Sequence, residues 1–130
     1  MKALLLIAHG SRREASNQEV RDLAKRLAEV ARADFSAVVP AFLELAEPDI
    51  PTGVDLCVEA GATQVIAVPY FLAAGRHVVT DIPEELAKAQ HRHPRLDLRQ
   101  SDYLGWHDAI PGMLLTLAQE SAVKDGSSAA

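Results

Sequence analysis

Apolar positions along this 130-residue chain follow two periods in turn. Ala3 to Ala8 is an unbroken apolar run, the pattern of a strand buried on both faces. Helical spacing then takes over. Val20, Leu23, Leu27 and Val30 recur on one face and Arg21, Asp22, Lys25, Arg26 and Glu29 on the other, which predicts an amphipathic helix from about Ala15 to Ala33. Phe35 to Leu43 reads as a second strand, placed at a sheet edge by Pro40, which cannot donate to a ladder. Ile50, Val54, Cys57 and Val58 mark a second helix that opens near Pro48 to Pro51 and stops at Gly61.

A third strand from Gln64 to about Pro69 leads through a loop to a third helix, from about Ile82 to His91. Thr80 or Asp81 is its expected cap, and Pro83 lies in its first turn. Leu96 to Leu98 predicts a fourth strand. Asp108 is the expected cap of a last helix whose Ile110, Met113, Leu114 and Leu117 form one stripe. Lys124 to Ala130 has no periodicity, so we expect one domain over residues 1–120 and a disordered tail over 121–130.

The order is βαβαβαβα, which predicts an α/β fold: a three-layer domain with a four-stranded parallel sheet and helices on both faces. The flavodoxin-like strand order 2-1-3-4 is expected, with its switch point between strands one and three, where ligands bind in open α/β sheets. That position gives two histidines their interest. His9 follows the first strand in Ala8-His9-Gly10-Ser11-Arg12, and His77 follows the third in Phe71-Leu72-Ala73-Ala74-Gly75-Arg76-His77. Glu44 follows the second strand, so three metal-capable side chains on three loops converge on one edge of the sheet. Taken singly, His9 also fits a hydrogen-bonding loop residue and Glu44 a solvated strand-end charge.

Composition narrows the ligand. A formal net charge of −5 argues against nucleic acid, whose binders carry a basic footprint. An anionic ligand therefore has to meet a local group of cations. Ser11, Arg12 and Arg13 stand where the first helix begins and its unpaired amides attract anions, and Arg76 adjoins His77. Ser11, Arg12 and Arg76 are the candidate contacts for an anionic ligand, and Tyr70, Phe71 and Leu72 a candidate apolar wall. The single cysteine, Cys57, excludes an internal disulfide and a multi-thiolate site and reads as a small core residue. No apolar run approaches the roughly 20 residues of a membrane helix, and the segment after Met1-Lys2 is too short and wrongly flanked for a secretory signal. A cytoplasmic protein is expected. His91 and His93 suit a helix C-terminus and solvent, as does His107, while Tyr103 and Trp106 suit a dimer surface or the sheet end.

Three blocks in order, His9-Gly10-Ser11-Arg12, Ala41-Phe42-Leu43-Glu44-Leu45-Ala46-Glu47-Pro48, and Pro69-Tyr70-Phe71-Leu72 with Gly75-Arg76-His77-Val78 and Asp81-Ile82-Pro83, resemble the short sirohydrochlorin chelatases. The likeness covers about residues 1 to 120. It implies a class II chelatase that inserts Co(II), next Fe(II) or Ni(II), into sirohydrochlorin for cobalamin or siroheme synthesis, without ATP and without a permanently bound cofactor. By the same resemblance His9 and His77 bind the metal, Glu44 assists as ligand or proton acceptor, and the single half pairs as a two-fold homodimer. Two imidazoles and a carboxylate suit such an ion without the tight grip of thiolates. Two rival readings use the same residues: a metal carrier that delivers ions without catalysis, and a histidine-dependent phosphoryl-transfer enzyme, whose arginine before the histidine is replaced here by Ala8.

Overall fold

The computed structural model describes the backbone of residues 1–129 and the side chains of residues 1–122. Strands β1 (Lys2–Ala8), β2 (Ala37–Phe42), β3 (Gln64–Pro69) and β4 (Asp97–Gln100) alternate with helices α1 (Glu14–Ala31), α2 (Ile50–Glu59), α3 (Ile82–Arg92) and α4 (Ala109–Ala129). All pairings are parallel, in the order β2-β1-β3-β4. This is the expected topology, with Pro40 on an edge strand opposite Leu6.

The alternation of β1 builds both layers, because successive side chains of a strand face opposite sides. Ala3, Leu5 and Ile7 face the larger core, closed by Ile50, Val54 and Cys57 of α2 and by Ile82, Leu86 and Ala89 of α3. Leu4 and Leu6 face α1, with Ala24, Val20, Leu23 and Leu27 over them. Each fully buried Leu or Ile contributes on the order of 2 kcal/mol, so β1, buried from Ala3 to Ala8, is the main anchor of the sheet. Burial pushes the Cys57 thiol up to about 11, which fits the core role read from the sequence.

Helix α2 opens as its sequence suggests. Asp49 is its N-cap and accepts the Thr52 amide at 2.9 Å. Hydrogen bonds from the Thr52 side chain and amide hold the Asp49 carboxyl below its usual value. A carboxyl depressed in the folded state stabilises above its unfolded pKa and loses that contribution as pH falls through the folded value. Asp49→Ala is therefore expected to cost about 1 kcal/mol near neutrality. Urea unfolding of both proteins should show the gap closing below about pH 4, and a pH-independent gap would refute the charged cap.

Two local expectations are corrected. Neither Thr80 nor Asp81 caps α3: Asp81 is already helical and its side chain makes no cap bond, because a π-turn at His77–Asp81 runs directly into the helix. Strand β4 starts at Asp97, not Leu96, since the carbonyls of His93 and Leu96 accept the Gln90 side-chain amide and hold the preceding turn. A 3-10 turn at Leu104–Trp106 leads into α4, where the Ala109 amide donates to Nδ1 of His107 at 3.0 Å. The tail expected over 121–130 falls on the end of α4, where the side chains from 123 and residue 130 lie outside the described residues. Among the described residues α4 meets the 3-10 turn, and Met113, Leu114, Leu115 and Leu117 are exposed. Among the described residues no helix is long and apolar enough to cross a membrane.

Candidate metal centre

His9 is the first residue after β1, and the ladder continues past it. The Leu43 amide donates to the Ala8 carbonyl at 3.0 Å and the Glu44 amide to the His9 carbonyl at 3.1 Å. That extension of the β1–β2 register brings Glu44 beside His9. Gly10 makes the approach possible: its φ is +93°, and a Cβ there would stand 1.7 Å from the Glu44 carbonyl oxygen. The loop is clamped from below by Asn17, 2% exposed on α1. Its side chain accepts the Ser11 amide at 2.9 Å and donates to the Ser11 carbonyl at 2.8 Å.

His77 arrives from the other side of the β1–β3 crevice. After β3 the Tyr70 amide donates to the Ile7 carbonyl at 2.7 Å, and the chain loops out before returning through the π-turn. The turn is closed by the Ile82 amide donating to the His77 carbonyl, an insertion frequent at functional sites. Val78 and Ile82 are buried and anchor it, while His77 and Asp81 line the cleft.

The two imidazoles meet edge to face, with centroids 4.6 Å apart, and His9 Nε2 lies 3.5 Å from Glu44 Oε1. Their proton positions follow from their partners. His9 Nδ1 is 2.9 Å from the Gly10 carbonyl oxygen, which only accepts, so Nδ1 carries the hydrogen and a neutral ring keeps its lone pair on Nε2. His77 Nδ1 is 2.8 Å from Asp81 Oδ2, and the same argument leaves its Nε2 as the lone-pair nitrogen. Two imidazole donors thus stand side by side with a carboxylate at their edge, a set suited to Co, Fe, Ni or Zn. It is an open set. Among the described residues no group of three or more His, Cys, Asp or Glu side chains is arranged to hold a metal ion.

A cleft of about 200 Å³ opens beside the pair, lined by Leu43, Glu44, His77, Asp81, Glu84 and Glu85. Its carboxylates give it a field that attracts cations. The candidate anion contacts lie around this centre. Ser11 is occupied locally, its hydroxyl accepting the Arg13 amide at 3.0 Å, and Arg12 is exposed on the His9 loop. Arg76 is 85% exposed, with Nε 4.0 Å from Asp81 Oδ1. Phe71 stands 6.4 Å from His77 and packs on the core, whereas Tyr70 and Leu72 are exposed.

The remaining histidines stand elsewhere. His91 is exposed, His93 pairs with Asp55 at 2.7 Å, and His107 serves the start of α4. Trp106 is exposed beside Tyr103, ring centroids 6.5 Å apart. Sequence reasoning missed two residues of the centre. Asn17, six positions after Ser11, carried no signal beyond being polar within an amphipathic helix. Asp81, four positions after His77, did carry one, because that spacing puts two side chains on one helical face.

The matched family model is CbiX, over residues 3–121. The chain is similar to the chloroplastic sirohydrochlorin ferrochelatase of Arabidopsis thaliana, 36% identical over 82% of this chain and 47% of that protein. It is also similar to the sirohydrochlorin cobaltochelatase of Methanocaldococcus jannaschii, 40% identical over 72% of this chain and 64% of that one. A solved structure of the sirohydrochlorin chelatase SirB from Bacillus subtilis subspecies spizizenii, in complex with cobalt, superposes with a TM-score of 0.74 at 30% identity, covering 92% of this chain and 50% of SirB. The chain spans about half the length of several of the curated relatives it matches. A match over almost the whole length, carried by the same fold and by relatives this similar, means that the chain belongs to the CbiX family.

Proposed function

We propose that this protein is a chelatase that inserts a divalent ion, Co(II) foremost and Fe(II) or Ni(II) after it, into sirohydrochlorin without ATP. The observation that carries the reading is the pair of imidazoles 4.6 Å apart, each with Nδ1 held by an oxygen acceptor, and Glu44 3.5 Å from His9 Nε2. His9 and His77 hold the ion, and Glu44 adds an oxygen donor or takes a proton from the macrocycle. Insertion requires the ion to leave for four pyrrole nitrogens while two pyrrole protons depart, to Glu44, to an imidazole the ion has left or to solvent, and an open set of neutral imidazoles releases the ion more readily than thiolates would. The test is anaerobic absorbance spectroscopy of sirohydrochlorin with each metal, with and without the protein. A protein-dependent spectral change is expected, and metal binding without accelerated insertion would instead identify a carrier.

The cleft beside His77 and Glu44, at about 200 Å³, is small for an organic ligand, which needs about 300 Å³ or more. The macrocycle therefore lies across the mouth, with Ser11, Arg12 and Arg76 as its carboxylate contacts. One domain, residues 1–120, carries this chemistry, in the cytoplasm and without nucleic acid or membrane as partner.

A second copy completes the assembly as a two-fold homodimer. The support is α4, whose Met113, Leu114, Leu115 and Leu117 are 47–64% exposed on a helix that is apolar on more than one side, the character of a buried helix. We expect light scattering to give twice the chain mass at micromolar concentration, and Leu114→Lys with Leu117→Lys to give the monomer. A monomeric wild type would remove the homodimer while leaving the metal centre as described.

A further inference from the structure

We infer that Asp81 is a positioning residue that sets the tautomer and aim of His77, an inference that rests on His77 being a metal ligand. Its carboxylate oxygen Oδ2 lies 2.8 Å from His77 Nδ1, and its other oxygen lies 4.0 Å from Arg76 Nε. Nothing in the sequence blocks or the comparisons assigns it this part. A carboxylate that accepts the Nδ1 hydrogen keeps the Nε2 lone pair in place, stops ring rotation and raises the donor strength of the imidazole, as outer partners of metal-binding histidines do.

The backbone makes the arrangement durable. His77 and Asp81 begin and end the π-turn, and the buried Val78 and Ile82 fix each beside its neighbour. Asp81 is thus held by the core while its carboxylate reaches a half-exposed ring. His9 has a different device, since its Nδ1 is held by the backbone carbonyl of Gly10, which no side-chain substitution removes. Asp81 is therefore the place where one of the two donors can be unset without touching either histidine.

The test uses the full chain free of metal and then Co(II) alone as probe. Long-range ¹H–¹⁵N spectra at about pH 8, where an ordinary imidazole is neutral, should show the His77 ring as the Nδ1–H tautomer in the wild type. In Asp81→Ala the ring should shift toward Nε2–H, and Co(II) affinity should fall about 10- to 100-fold. Asp81→Asn retains an acceptor oxygen and should restore the tautomer and most of the affinity. An Nε2–H ring in the wild type, or unchanged affinity in Asp81→Ala, would overturn the inference. Equal loss in the alanine and asparagine variants, with the Nδ1–H tautomer intact in the latter, would also overturn it by making Asp81 a direct ligand. Should Asp81→Ala fail to fold, the wild-type spectrum and Asp81→Asn decide between these outcomes. None of the readouts depends on sirohydrochlorin, so a failed chelatase assay and a failed positioning role are told apart.

Discussion

His9→Ala and His77→Ala are each expected to lower protein-dependent metallation of sirohydrochlorin by more than about 100-fold, the upper end of what changes in a ligand's support alone cost. Their stability should stay close to wild type. The two side chains are 42% and 46% exposed and lie outside both apolar clusters, so truncation should move folding free energy by no more than about 0.5–1 kcal/mol. The pairing of lost activity with a kept fold is what distinguishes a ligand from a structural histidine. Glu44→Gln retains a carbonyl donor but no basic oxygen and should fall between the wild type and the histidine variants. Anaerobic initial rates with Co(II), together with thermal melts, check all three. Full activity in either histidine variant would remove that residue from the centre.

The second large effect is expected at Gly10, which touches metal chemistry only through the backbone. An alanine at φ +93° is strained, and its Cβ would overlap the Glu44 carbonyl oxygen, a backbone atom that cannot rotate aside. The left-handed penalty of about 1–2 kcal/mol and overpacking of about 1–3 kcal/mol together predict a loss of roughly 2–5 kcal/mol. For a chain of this size that corresponds to a Tm lower by on the order of 10 °C. The chain relieves the overlap only by parting the His9 and Glu44 loops, so activity should fall even below the melting range. Gly75→Ala is the control, because an added Cβ there meets nothing within 4 Å, and its melt should match wild type. Equal melts for the two variants would show that the close approach of these loops does not matter.

Much of this molecule is legible in one dimension. The run Ala3 to Ala8, the helical spacing from Val20 to Leu27 and the short β-rich stretch before Pro69 correspond to β1, α1 and β3, since a strand or helix that buries one face must repeat its apolar residues at that element's own period, whereas Val30, at the end of the α1 stripe, is exposed. Pro40 announced an edge strand for the equally local reason that it lacks a donor. The Thr80-Asp81 cap failed because a capping residue and the end of a π-turn look alike in sequence. The two differ only in whether the Ile82 amide reaches the His77 carbonyl.

The sequence by itself thus determined the succession of elements, their parallel winding and the appearance of His9, Glu44 and His77 at strand ends, because each depends on local periodicity and on the handedness of βαβ connections. Only the tertiary structure decided how those ends meet. The ladder running past β1 and β2 sets the 3.5 Å between His9 and Glu44, and Gly10 lets the two loops close. The Gly10 carbonyl and Asp81 select which nitrogen of each ring is free, and α4 leaves its leucines exposed. These are relations between segments far apart in the chain or within an irregular turn, where register, backbone turn and hydrogen-bond partner are set by packing and not by the pattern of neighbouring residues.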